Sequence, residues 1–188
     1  MTNAVERWCE EEGLSFRVRE LDGLCLLDQL AELEPLEAPH SRRLLVETTG
    51  DWTAYFDNAL SGGDPSPWVG VLSEALDRRG VVATHLPVGQ YPYPATQFEL
   101  VGPRGEGPLR VERTISAGIF DEGRWRFEAH GTVQPFEEPA AYAARRVKDR
   151  FPRALLVRYL ERLGIHIDDR AFFGRGVLFE DCNAVVGQ

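Results

Sequence analysis

The residues best suited to chemistry lie in a loop that follows an aromatic stretch of the chain. Asp57, Asn58 and Asp64 come close together there, and Asp51 stands just before Trp52. Oxygen ligands at this density could hold Ca²⁺ or Mg²⁺. Their spacing differs from that of an EF-hand loop, and Asp and Asn commonly bond to the backbone of their own loop. We therefore predict a binding loop with no metal ion and no cofactor.

The same loop runs into a predicted helix start at Ser66-Pro67, where free backbone amides could receive an anion. No lysine follows Gly62-Gly63 in the manner of a phosphate-binding loop. Pro65 and Pro67 also remove two backbone donors. The pattern is a weak indication of anion binding.

A second group of polar residues is predicted on one hairpin. Arg113, Glu128 and His130, joined to the Asp57–Asp64 loop, could form the pocket of a hydrolase-type enzyme or of a small-ligand-binding protein. No serine lies in a G-x-S-x-G turn. His85 is expected in the core because it lies on an apolar strand. Catalysis is therefore the alternative hypothesis, not the first.

The three cysteines are far apart, and none lies in a C-x-x-C motif. We expect Cys9, Cys25 and Cys182 to be reduced and mostly buried, as in a cytosolic protein. Neither they nor the four histidines have the spacing of zinc ligands.

Tyr91 and Tyr93 each precede a proline, which holds the segment extended. Tyrosines in such a loop are amphipathic and suit an interface with another protein. They join Asp57, Asn58 and Asp64 as the predicted binding residues.

Charge is spread unevenly along the 188 residues, whose net charge is −9. Residues 1–40 hold ten acids and three bases, whereas residues 145–162 hold seven bases and two acids. An acidic chain is a poor generic nucleic-acid binder, and its acidic end could meet a basic protein partner. No apolar run approaches the length of a membrane span, and the acidic N terminus is unlike a targeting peptide. We expect a cytoplasmic protein.

The elements that must position these residues predict an α+β fold: one mainly antiparallel sheet of about five or six strands, with helices packed on one face. A single domain is expected over residues 1–188, in which residues 1–40 could form an acidic N-terminal subdomain and residues 41–188 the main core. Strands are predicted near residues 14–18, 44–47, 52–56, 81–86, 96–101 and 177–179, and helices near residues 3–12, 66–79, 140–147 and 152–163. Residues 24–33 fit either a strand or a helix.

The hairpin at residues 109–134 is the best-defined element. If Phe120 pairs with Arg124 across the turn at Asp121-Glu122-Gly123, the numbers of opposed residues sum to 244. This register puts Arg113 on the core face opposite Gly131, where its charge needs a buried partner. Asp57 or Asp51 is the predicted partner. The core face would include Val111, Ile115, Ala117, Ile119, Trp125, Phe127, Ala129 and Val133, and the polar face Glu112, Thr114, Ser116, Arg126, Glu128, His130 and Thr132.

Several motifs carry a resemblance over residues 44–165. The segments Gly50–Asn58, Gly62–Pro65, Thr96–Leu100, Gly131–Glu137 and the Arg-rich helix from Tyr142 resemble a group of uncharacterised bacterial proteins, which implies no activity. In general character the chain is also similar to immunity proteins of bacterial toxin systems. Together with the acidic end and the tyrosine loop, this favours a binding protein that neutralises a basic toxin by occluding it.

Overall fold

The computed structural model describes residues 5–7, 10, 13, 15–36, 41–59, 66–120 and 123–181. Asp64, Cys9, Cys182 and the turn residues Asp121 and Glu122 lie outside the described residues, so the predictions made for them stay predictions. The fold is α+β with antiparallel sheets, as predicted. It has two sheets of four strands, however, and not one sheet of five or six.

The elements follow one another in a simple order. They are β1 (Phe16–Leu21), α1 (Leu26–Ala31), β2 (Arg42–Thr48), β3 (Thr53–Asp57), α2 (Ser66–Leu76), β4 (Gly80–Leu86), β5 (Ala95–Glu106), β6 (Val111–Ile119), β7 (Trp125–Gly131), α3 (Arg153–Arg162) and β8 (Phe173–Asp181). Among the described residues, 3₁₀ helices span Pro139–Ala143, Val147–Asp149 and Arg170–Phe172.

The chain divides into two compact units. Unit 1 comprises residues 1–65 and 164–188, and unit 2 comprises residues 66–163. The single-domain prediction is not tested by this division and stays a prediction. Within the described residues, no helix is long and apolar enough to span a membrane.

The sheet of unit 1 has the strand order β1-β8-β2-β3. The C-terminal strand β8 lies between β1 and β2, so a strand from the first 40 residues shares a sheet with the segment that follows. Leu21, Leu44, Val46 and Leu178 form the core on one face of this sheet, together with Leu33. Burying such side chains supplies most of the driving force for folding.

Residues 26–31 of the ambiguous segment form a helix. The turn at Asp22-Gly23 has Gly23 at φ 73°, and the chain passes there from β1 into α1. Gln29, which is fully buried, donates its side-chain amide to the carbonyls of Leu24 and Gly174 at 2.9 and 2.8 Å. These bonds tie α1 to β8.

The sheet of unit 2 has the strand order β4-β5-β6-β7. The predicted hairpin register is confirmed, since Ile119 pairs with Trp125 and Arg113 with Gly131. Gly123 has the positive φ, 67°, that the predicted turn requires.

Helices cover both faces of this second sheet, whereas one face was predicted. On one face, Val69 of α2 packs so closely on Gly80 that a Cβ atom there would lie 2.3 Å from its side chain. On the other face, Tyr159 of α3 packs edge-on against Phe98 at 6.5 Å between ring centroids. Phe136 and Phe151 complete this aromatic core at 5.6 and 5.8 Å from Tyr159.

Several local predictions are wrong for physical reasons. In place of the α-helix predicted near residues 140–147, the chain forms two 3₁₀ helices, Pro139–Ala143 and Val147–Asp149, because Ala144 between them is extended at ψ 138°. Helix α2 ends at Leu76 and not near Gly80, since Asp77 adopts a left-handed conformation at φ 50°. Strand β5 continues to Glu106, beyond its predicted end near Val101, because the Gly102 amide bonds to the Arg110 carbonyl at 2.9 Å.

Four side chains lie in environments other than those predicted. His85 and Cys25 are exposed: His85 is on the edge strand β4, and Cys25 precedes α1 with its thiol 3.1 Å from Asp28. Val133 lies past the end of β7 and is 52% exposed. Glu112 is buried because its carboxylate pairs with Arg79, which follows α2, at 2.7 Å.

Candidate functional site

The loop between β4 and β5, residues 87–94, presents three of the exposed large apolar side chains of unit 2. Val88, Tyr91 and Tyr93 are 72%, 47% and 63% exposed. Exposed apolar groups that lie together mark interaction sites more often than single ones do. The two tyrosines were predicted as binding residues, and the sequence analysis missed Val88.

The backbone of this loop is held at both ends. The Gln90 amide bonds to the Pro87 carbonyl at 3.3 Å, and Val88 bridges to Tyr91 around Gly89, whose φ is 85°. At the far end the Ile119 amide donates to the carbonyl of Pro94, which is buried, at 2.9 Å. The loop therefore offers its tyrosines from a fixed frame, which lowers the entropy cost of binding.

Asp57 and Asn58, at the end of β3 in unit 1, satisfy local groups as predicted. Asp57 accepts hydrogen bonds from the Tyr55 hydroxyl at 3.2 Å and from the Ala59 amide at 3.1 Å. Asn58 is buried and accepts from the Arg42 amide at 2.8 Å. Burial, reinforced by the Asp57 charge, raises the pKa of Tyr55 well above its ordinary value. Both predicted binding side chains are thus engaged in holding the end of the β2–β3 hairpin.

Arg113 has its buried partner within unit 2. Its guanidinium makes two hydrogen bonds to the Glu137 carboxylate, at 2.9 and 2.8 Å, and a third to the Gly131 carbonyl at 3.1 Å. The side chains of the pair are only 4% and 0% exposed. The predicted pairing of Arg113 with Asp57 or Asp51 is therefore wrong.

Glu137 is the centre of a hydrogen-bond network in which the donor and the acceptor of each bond follow from the neighbouring bonds. Its carboxylate also accepts from the Gln134 amide at 2.7 Å and from the Tyr142 hydroxyl at 2.7 Å. The Tyr142 oxygen then accepts from the Tyr159 hydroxyl at 2.9 Å, and Tyr159 accepts from the Glu138 amide at 2.8 Å.

This network is buried, and it shifts the ionisation of its members. Burial and the bonds to Tyr159 and Glu137 raise the pKa of Tyr142 far above its usual range. Burial lowers the pKa of Arg113, but the Glu137 carboxylate more than offsets this and leaves the value raised. Proton transfer in catalysis needs a group whose pKa lies near the working pH. Arg113 and Tyr142 are each held in one protonation state, so their arrangement suits a structural role.

Glu128 and His130 lie side by side on β7, as predicted, with His130 Nε2 3.9 Å from the nearer Glu128 oxygen. Both are exposed, at 54% and 75%. Arg113 shares a strand pair with them but points to the opposite face, because residues alternate along β6. The structure therefore does not bring Arg113 into one pocket with this pair.

The basic segment at residues 145–162 is partly neutralised by acids within it and just before it. Arg158 and Arg162 both bond to Glu138, at 3.0 and 2.6 Å. The bond to Arg158 is the main cause of a lowered pKa for Glu138. Arg146 pairs with Asp149 at 2.5 Å.

Sequence reasoning missed Glu137 and Val88, and each left a signal. Glu137 follows Phe136 in the motif from Gly131, and a carboxylate near a predicted buried arginine is its natural partner. Val88 stands between Pro87 and Gly89, two residues typical of loops, so its apolar side chain is not expected on the buried face of a strand.

The described residues contain no group of three His, Cys, Asp or Glu side chains placed to hold a metal ion. No family model, no curated protein and no solved structure matches this chain. What the protein does is therefore inferred from the exposure, charge and contacts of its own residues.

Proposed function

We propose that this protein is a non-catalytic binding module that acts in the cytoplasm as an immunity protein, neutralising a basic toxin by covering its active surface. The observation that carries the proposal is the exposed loop with Val88, Tyr91 and Tyr93. Tyrosine is enriched at the energetic centre of protein interfaces, because it adds a large apolar area and a hydroxyl at low entropy cost.

Charge supports a basic partner. Unit 1 holds eighteen acids and seven bases, a net charge of −11, whereas unit 2 holds twelve acids and fourteen bases, a net charge of +2. The negative electrostatic field of unit 1 raises the association rate of a positively charged protein.

The state of the polar clusters favours binding over chemistry. Arg113 and Tyr142 are held by Glu137, and Asp57 bonds to its own hairpin. A hydrolase-type site that used Asp57, Arg113, Glu128 and His130 has no specific observation in its favour.

The test is capture from a lysate of the native host with three forms of the tagged protein. These are the wild type, the double variant Tyr91→Ala/Tyr93→Ala and the control Val133→Ala, which trims an exposed side chain elsewhere in unit 2. We expect a basic protein to be retained by the wild type and the control and to be reduced at least about tenfold by the double variant, as for loss of interface anchors.

The captured protein is then expressed in a heterologous host. It should arrest growth alone, and co-expression of the wild type, but not of the double variant, should restore growth. A captured protein that is harmless, or that binds the double variant equally well, would count against an immunity role for this loop.

A further inference from the structure

Strand β4 and the segment around it lack charge. From Gly80 to Phe98 there is no Asp, Glu, Lys or Arg, and no other stretch of this chain is uncharged for as long. Natural sheets protect their edge strands with charged side chains, prolines or a covering element, because an open edge pairs with other strands. β4 is an edge of the unit 2 sheet.

The other edge of the same sheet is built differently. β7 carries Arg126 and Glu128, and the 3₁₀ helix Val147–Asp149 packs against it. In unit 1, the edge strand β1 carries Arg17 and Arg19. On β4, Ala83 and His85 are both exposed.

The ladder determines which backbone groups of β4 point outward. The Ile119 amide bonds to the carbonyl of Pro94, the residue just before β5. Because backbone bonding alternates along an antiparallel strand, the even-numbered residues of β5 bond to β6 and the odd-numbered residues bond to β4. The β4 residues opposite them are Gly80, Val82, Thr84 and Leu86. Val81, Ala83 and His85 consequently direct their N–H and C=O groups away from the sheet, and no bond to these groups occurs among the described residues.

A second copy of this chain fits that edge. In an antiparallel pair related by a two-fold axis through the sheet, Ala83 would face Ala83 of the other copy, and Val81 would face His85. This register pairs all three outward residues, giving six backbone hydrogen bonds, and Pro87, which has no N–H, ends the ladder. No like charges meet. The same operation on β1 would bring Arg17 opposite Arg19, which is unfavourable.

We propose that two copies of this protein associate through β4, joining the unit 2 sheets into one antiparallel sheet of eight strands. In this dimer Ala83 lies at the two-fold axis, and its small side chain stands beside that of the other copy. The proposal does not depend on the toxin partner, because it rests on the strand and not on the tyrosine loop.

Sedimentation equilibrium over the micromolar range tests the proposal with wild-type protein, Ala83→Lys and the control Val18→Lys. Val18 is exposed on the edge strand β1, so its replacement adds the same charge to a different edge. We expect a reversible dimer for the wild type and the control. Ala83→Lys places two like charges face to face and should raise the dimer dissociation constant at least about tenfold.

Hydrogen exchange on the wild type gives a second measurement that needs no variant. The amides of Val81, Ala83 and His85 should exchange more slowly as protein concentration rises, while those of Phe16, Val18 and Glu20 on the β1 edge should not change. A wild-type protein that stays monomeric across the micromolar range would overturn the proposal, and so would a dimer of unchanged affinity in folded Ala83→Lys. Tyr91→Ala/Tyr93→Ala should still dimerise, which separates this result from the capture experiment.

Discussion

Arg113 and Glu137 form a buried ion pair, with side chains 4% and 0% exposed. A buried pair of this kind adds little net stability over an apolar pair, but removing one partner leaves an uncompensated charge. We expect Glu137→Gln to lower the free energy of unfolding by about 3–5 kcal/mol. Urea denaturation followed by tryptophan fluorescence measures this change.

Replacing both partners is the matched control. Arg113→Met combined with Glu137→Leu removes the charges together and should recover much of the loss, whereas Arg113→Met alone should remain destabilising. If Glu137→Gln changes stability by less than about 1 kcal/mol, the pair does not hold the segment from Gly131 to Tyr142 against the sheet.

His85 provides a test of pH dependence at one residue. Partial burial, together with the charge of Arg153, lowers the pKa of His85 below 6.5, and its ring nitrogen lies 3.1 Å from the Thr96 hydroxyl. A histidine whose pKa is lower in the folded state favours folding while it is neutral. Its contribution is present above pH 6.5 and is lost as the pH falls through the folded-state value.

The pKa can be read from an NMR titration of the ring protons, assigned by comparison with His85→Gln. Urea midpoints measured above and below the titration should fall with acidity more steeply in the wild type than in His85→Gln. A His85 pKa above 6.5 would contradict the effect of burial and of Arg153.

At the scale of elements, the β6–β7 hairpin depends on a glycine at each end. Gly131 has φ 85°, and a Cβ atom there would lie 2.2 Å from the Glu112 carbonyl oxygen. Gly123 also has a positive φ, 67°, but a Cβ atom there would meet nothing within 4 Å. Gly131→Ala should therefore cost about 3 kcal/mol or more, and Gly123→Ala about 1–2 kcal/mol from backbone strain alone.

Thermal denaturation measures the loss of stability in each variant. Gly123→Ala reports backbone strain alone, and Gly131→Ala reports the same strain together with the steric clash. Equal losses would show that the strand register near Gly131 can shift to accept a methyl group. A glycine is needed at position 131 because the β6 backbone at Glu112 approaches it closely.

The elements that could be predicted from sequence are those with local signals. The β6–β7 register follows from a three-residue turn and period-2 alternation, and α3 follows from Pro152, a leucine stripe and Gly164. The division into two sheets could not be predicted, because it depends on β8 pairing with β1 and β2 across more than 100 residues of chain. Local patterns carry no information about such long-range pairing.

The candidate site shows the same limit. Tyr91 and Tyr93 could be assigned to the surface because prolines hold them out of regular strands. The partner of Arg113 could not be identified from sequence, because Glu137 and Asp57 both offer a carboxylate. Only the fold determines that the Glu137 carboxylate lies beside the Arg113 guanidinium. The outward backbone groups of β4 could not be predicted either, because the sequence does not show that β4 is an edge strand.

At the scale of the whole molecule, charge is divided between the two units, with −11 on unit 1 and +2 on unit 2. Exposed acids such as Glu20 and Glu47 surround a single arginine, Arg175, at 3.7 and 3.1 Å. A flexible polycation should therefore bind to unit 1 in preference to unit 2.

A twelve-residue polyarginine peptide, added during an NMR titration of the backbone amides, provides the probe. At low ionic strength the shifts should be concentrated in β1, β2 and β8, and they should disappear as added salt shortens the screening length to about 10 Å or less. Replacing Glu20 and Glu47 by Gln should weaken the binding, whereas Glu74→Gln, which removes an exposed acid from unit 2, should have little effect. Shifts of equal size in β4–β7 would mean that the net charge alone, and not its division between the units, attracts cationic partners.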